Sequence, residues 1–63
     1  MNKKLRIARI EREVSQEQLA EMVGVTRQTI SLIESQKYNP SLNLCVSICR
    51  ALNKTLNDLF WEE

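Results

Sequence analysis

Four hydroxyl-bearing residues, Ser15, Thr26, Ser41 and Thr55, each stand immediately before a run with helix-like spacing of apolar positions. A Ser or Thr at such a place accepts a hydrogen bond from a backbone N–H that the first helical turn leaves free, so each marks a helix start. Ser15-Gln16-Glu17-Gln18 has the spacing of a capping box, with Gln18 reaching back. Thr55-Leu56-Asn57-Asp58 is a weaker version in which Asp58 also complements the helix dipole. Four starts and an N-terminal segment predict five short helices, over about residues 2–13, 16–23, 27–34, 42–52 and 56–60. The inward positions are Leu5 and Ala8; Leu19, Ala20 and Val23; Ile30 and Ile33; Leu42, Cys45, Ile48, Cys49 and Leu52; and Leu56, Leu59 and Phe60. Residues 35–40 form the one real loop, because Pro40 pushes Asn39 out of helical geometry.

An all-α fold in a single domain spanning residues 1–63 follows. The chain has one Gly, one Pro and no His, too few turn formers for a β-sandwich or barrel. At 63 residues, 43% of them hydrophobic and 27% charged, it reads as globular, with a thin core and little room for both a scaffold and a substrate cleft. Cys45 and Cys49 lie four apart, a spacing that suits two small core thiols better than a disulfide. Zinc needs about four ligands, and with no His and no second Cys pair no metal or cofactor is expected. Free thiols fit a reducing cytosol, and no apolar run resembles a signal peptide or a membrane span, so a cytoplasmic location is expected.

The net charge is only +1, but its distribution is uneven. Residues 1–13 carry Lys3, Lys4, Arg6, Arg9 and Arg12 against Glu11 and Glu13, whereas the last nine residues carry Asp58, Glu62 and Glu63 with no base. This pattern is either an ordinary solvated surface or one basic face open to a polyanion.

Residues 16–33 separate those alternatives. Gly24, the single glycine, stands where one helix ends and another begins three residues later. So abrupt a reversal calls for a left-handed backbone, which glycine adopts without steric cost. Ala20, one turn earlier, lets a second helix cross closely, and Leu19, Val25, Ile30 and Ile33 hold the pair at a fixed angle. These are the requirements of a helix-turn-helix, whose second helix enters the DNA major groove. With Ile30 and Ile33 inward, Arg27, Gln28 and Ser31 face out, and their side chains match base edges: Arg for guanine, Gln for adenine, Ser for either. Thr26 and Thr29 can reach phosphates. Gln16 offers its amide and the free N–H groups of a helix start to another phosphate, and Lys37, Tyr38 and Asn39 add donors from the following loop.

The string Ser15-Gln16-Glu17-Gln18-Leu19-Ala20, then Gly24-Val25-Thr26-Arg27-Gln28-Thr29-Ile30, then Ile33-Glu34, then Lys37-Tyr38-Asn39-Pro40-Ser41-Leu42 resembles the Cro and phage-repressor type of helix-turn-helix regulators. These are also called the xenobiotic-response-element family. The resemblance covers nearly all of residues 5–60 and is nearest to short stand-alone bacterial members without an effector domain, such as the cytolysin-type repressors. It implies a five-helix, lambda-repressor-like domain that binds operator DNA as a dimer through its third helix. It also implies phosphate contacts at Gln16 and around Lys37–Asn39, and a partly buried ion pair between Arg9 and Glu34 that ties helix 1 to helix 3. Four positions depart from the family pattern. Glu13 and Gln36 stand where glycine is common, and Cys45 and Cys49 stand where Ala is usual.

Some apolar residues exceed what so small a core absorbs. Ile7 and Ile10 are expected to be partly buried against the C-terminal segment. Val46 is a further apolar residue in excess of the core. Leu44, Leu56, Phe60 and Trp61 are the candidate surface of a twofold homodimer, with Trp61 an interface anchor. The function expected is sequence-specific binding of double-stranded operator DNA, with repression the favoured outcome. The alternative is an antitoxin-like adaptor whose tail, Phe60 and Trp61, clasps a protein partner. An enzyme is disfavoured, and no small-molecule site is evident.

Overall fold

The computed structural model of the protein describes residues 2–61. Glu62 and Glu63, part of the acidic end read from the sequence, lie outside the described residues. Five helices run in the expected order: α1 (Lys3–Glu11), α2 (Gln16–Val23), α3 (Arg27–Glu34), α4 (Leu42–Leu52) and α5 (Leu56–Leu59). Among the described residues there are no strands.

Each expected cap is made. Ser15 Oγ accepts from the Gln18 N–H at 3.0 Å while Gln18 Oε1 accepts from the Ser15 N–H at 2.8 Å, closing the capping box. Thr26, Ser41 and Thr55 accept from Thr29, Leu44 and Asp58, each at 3.2 Å. Asp58 completes the last box, its Oδ2 accepting from the Thr55 N–H at 2.9 Å. The Thr55 backbone N–H, and then the Thr55 side chain, hold the Asp58 carboxyl below its ordinary value. That cap therefore holds above the ordinary carboxylate range and is lost only as pH falls through the lowered value. A fifth cap has no hydroxyl to announce it: Asn2 Oδ1 accepts from the Leu5 N–H at 3.0 Å.

Four helices end by one device. A left-handed residue follows each: Glu13 (φ +57°), Gly24 (φ +78°), Gln36 (φ +60°) and Asn53 (φ +55°). In each case the next N–H reaches back five residues: Val14 to the Arg9 carbonyl, Val25 to Ala20, Lys37 to Leu32 and Lys54 to Cys49, at 2.8–3.0 Å. This is the Schellman closure, which satisfies otherwise free carbonyls. It also stops α1 at Glu11, two residues short of the expected end. Glu13 is exposed and pays for the left-handed geometry that its Cβ disfavours. Glu13→Gly is expected to stabilise the protein by about 0.5–1 kcal/mol, the steric relief less the extra backbone entropy of glycine. Thermal unfolding would register this as a rise of roughly 2–8 °C in Tm for so small a domain. An unchanged or lower Tm would contradict the strain assigned to Glu13.

The core comprises Leu5, Ala8, Leu19, Ala20, Ile30, Ile33, Ile48, Cys49, Leu52 and Leu59. All ten are apolar positions expected to point inward. Helix α2 packs on α3 and α4, while α1 rests on α5 and α3. Three expectations need correction. Leu42 is 69% exposed rather than inward. It is the first residue of α4, and a helical side chain leans over the turn before it, which here does not exist. Ile7 and Ile10 are each 55% exposed, because α5 is a single turn and its one buried residue is Leu59. Cys45 is half-buried and Cys49 buried, both as free thiols. Burial raises the pKa of each, so both stay protonated at neutral pH. Among the described residues no group of His, Cys, Asp or Glu could hold a metal ion, and no helix is long and apolar enough to cross a membrane.

Candidate nucleic-acid interface

The turn between α2 and α3 is set by Gly24. A Cβ built there would meet nothing within 4 Å, so glycine is favoured by the positive φ and not by crowding. Ala20 is buried at the closely packed α2–α3 contact, and Val25 packs half-buried against the core. Ile30 (0% exposed) and Ile33 (2%) pin the inner face of α3. The opposite face is thereby presented to solvent.

Arg27 and Gln28 are exposed on that outer face, as expected. Ser31 is half-buried, at the edge that borders α1. Two further residues share the outer face: Leu32, half-buried and four positions after Gln28, and exposed Ser35, four after Ser31. Sequence reading missed them because it stopped at the polar residues of the first turn. The i, i+4 spacing from Gln28 and Ser31 was the signal that would have found both.

Thr26 and Thr29 are not independent donors. Their hydroxyls lie 3.0 Å apart and share a hydrogen bond, so the pair keeps one hydroxyl hydrogen for an outside acceptor. Gln16 is also committed in part. Its Nε2 donates to Glu34 Oε1 at 3.2 Å, leaving one amide N–H and the uncapped first-turn N–H groups of α2 to meet an anion. The same carboxylate takes Arg9, with Nε to Oε2 at 2.8 Å and an Nη2 contact to Oε1 at 3.4 Å. The Arg9 side chain is 12% exposed and that of Glu34 7%, and Arg9 Nη1 also donates to the Val14 carbonyl at 2.9 Å. The pair joins α1, the α1–α2 turn and the end of α3 into one rigid unit under the outer face.

Lys37, Tyr38 and Asn39 are all exposed in the segment between α3 and α4. The Lys37 N–H is fixed by its bond to the Leu32 carbonyl, so the loop leaves α3 in a defined direction. Tyr38 and Asn39 border a shallow cleft with Ile33, Pro40 and Phe60, while Lys37 stands outside it. Of the residues read as a dimer surface, Leu44, Leu56 and Phe60 are half-buried against this chain's own core, and Trp61 is 64% exposed.

Comparison with known proteins agrees with this geometry. A helix-turn-helix family model matches residues 5–59. An HTH-type transcriptional regulator of Bacillus subtilis is 46% identical over 63 residues, covering 100% of this chain and 96% of its own. Another from Archaeoglobus fulgidus is 45% identical over 60 residues, covering 95% of this chain and 86% of its own. The immunity repressor of Bacillus phage phi105 is 32% identical over 63 residues, a match that spans 44% of the repressor. The match spans nearly the whole chain, including the left-handed Gly24 turn and the exposed face of α3: the chain belongs to the DNA-binding helix-turn-helix regulators of the xenobiotic-response-element type.

Proposed function

We propose that the protein represses transcription by occupying a palindromic operator in duplex DNA as a homodimer in the cytoplasm, with α3 in the major groove. The observation that carries this reading is the exposure of Arg27 and Gln28 at the start of a helix whose other face is locked by Ile30 and Ile33. Arg27 suits a guanine edge and Gln28 an adenine edge, Ser31 adds a hydroxyl, and Leu32 offers an apolar contact to a thymine methyl. Gln16, Thr26, Thr29, Lys37, Tyr38 and Asn39 position the sugar-phosphate backbone. Leu44, Leu56, Phe60 and Trp61 supply the twofold contact, with exposed Trp61 as its anchor. Similarity to a phage immunity repressor supports repression over activation. The protein carries out no reaction in this reading; it acts by blocking access to DNA.

Selection of binding sites from random duplex DNA, followed by footprinting, tests this directly. The expected product is a palindrome with half-sites about one turn, roughly 34 Å, apart. Enrichment of no sequence, or only monomers in sedimentation with and without the selected duplex, would overturn it. On the selected site, Arg27→Ala is expected to weaken binding by about 1–3 kcal/mol and to relax preference at one base pair. A loss that is uniform over all sequences would place Arg27 on the backbone instead.

A further inference from the structure

We propose that Arg6 holds a DNA backbone phosphate at the mouth of a cleft between α1 and α3, a contact that rests on the DNA-binding reading above. The cleft is lined by Arg6, Arg9, Gln16, Ser31, Glu34 and Ser35 and has a volume of about 230 Å³. A water molecule takes about 30 Å³ in the liquid, so the space admits a group larger than a single solvent molecule.

Charge decides what that group is. The Glu34 carboxylate at the cleft is already matched by Arg9 and further bonded by Gln16. Arg6 is exposed, and among the described residues its guanidinium has no hydrogen-bond or ion-pair partner. Its helical neighbours at three and four positions are Asn2, Lys3, Arg9 and Ile10, so no acid on its own helix can reach it. Lys3, Arg6 and Arg9 instead follow one another at intervals of three, a row of like charges that repel in the free protein. The cleft therefore carries an uncompensated positive charge whose fork of donors suits a phosphate's paired oxygens.

The remaining groups point the same way. The Ser31 hydroxyl has no partner among the described residues, and Gln16 keeps one amide N–H. Ser35 contributes no donor, because its hydroxyl is used on the Leu32 carbonyl at 3.2 Å. Ser31 lies one helical turn after Arg27, so the cleft opens directly beside the edge of α3 that faces the bases. A phosphate flanking the read base pairs would meet Arg6 and the remaining Gln16 amide N–H together, with the Ser31 hydroxyl left for the base edge. Arg6 thus extends the backbone contacts from α2 and the α3–α4 loop onto α1.

The test uses the full chain and its selected duplex, with affinity measured between 50 and 200 mM salt. Arg6→Gln is expected to make the slope of log K against log salt shallower by about 0.9, so the loss at the low-salt end exceeds that at the high-salt end by roughly threefold. The loss should be the same for every base substitution in the site. Lys54→Gln removes one charge from the cleft between α1 and α5 and is expected to leave the slope unchanged. Replacing single phosphates by neutral methylphosphonates should reveal one position that weakens the wild type but adds nothing to Arg6→Gln. A wild type that binds while Arg6→Gln keeps its slope, matches Lys54→Gln or shows no such position overturns the phosphate contact. A wild type that binds no duplex overturns the DNA reading itself.

Discussion

Glu34→Ala is expected to remove most of the margin by which the chain stays folded. The substitution strands the Arg9 guanidinium, 12% exposed, without its counter-charge and takes the acceptor from Gln16 Nε2. Breaking one partner of such a pair costs about 3–5 kcal/mol, because the charge left behind has lost its water and gained nothing in return. A chain of 63 residues has a total stability of roughly 3–9 kcal/mol, so the loss consumes much or all of it. Denaturant unfolding should show a large drop in midpoint with an unchanged m value. Replacing both partners, as in Arg9→Met with Glu34→Leu, should recover much of the loss, since neither charge then remains. If the double variant were as unstable as Glu34→Ala, the penalty would come from lost packing and not from the stranded charge.

The same pair shows where a sequence stops being readable. Arg9 and Glu34 were identified through family resemblance, yet the third member, Gln16, was read as facing DNA alone. Its bond to Glu34 spans eighteen positions in the chain and depends on how α1, α2 and α3 come together. Spacing within one helix carries no trace of it. Local signals fared better, because a cap or a left-handed turn is decided by residues three to five positions apart. Ser15, Thr26, Ser41 and Thr55 all cap as their spacing predicts. Gly24 takes the left-handed turn for which glycine is suited. Glu13 and Gln36 show the converse: their side chains give no hint of a left-handed φ, and only the glycine common in the family at both positions pointed to it. Asn53 was overlooked although Asn tolerates that geometry.

The proposed recognition surface divides in the same way. The exposure of Arg27 and Gln28 was legible because Ile30 and Ile33 fix the phase of α3, and the rest of its outer face follows by rotation. Leu32 was passed over because an apolar residue reads as core until burial is known. Arg6 was counted in the basic N-terminal run but given no contact of its own, because a charge near a chain's start reads equally as solvated surface. Its cleft is formed by two helices that the sequence separates by some twenty residues. The assignment of base readers thus rests on one helix's periodicity, while the backbone contacts depend on tertiary placement.

That dependence makes Ile30→Ala the sharpest test of how packing serves recognition. Ile30 is 0% exposed, directly beneath the turn of α3 that carries Arg27 and Gln28. Removing its buried methyl and methylene groups leaves a cavity between α2 and α3, and such truncations cost about 2–5 kcal/mol. Thermal unfolding should show a Tm lowered by tens of degrees, or no cooperative transition at all. Ile30→Val removes a single methylene, costs about 0.5–1.5 kcal/mol, and should remain folded. Comparing affinities for the selected operator then separates two roles. If Ile30 only supports the fold, Ile30→Val binds as tightly as the wild type wherever it is fully folded, and Ile30→Ala loses affinity in proportion to its unfolded fraction. If Ile30 also sets the angle at which α3 meets the groove, Ile30→Val weakens specific binding more than non-specific binding. We expect the first outcome, because Ile33, Leu19 and Ala20 brace the same helix pair and Gly24 fixes the turn that joins it.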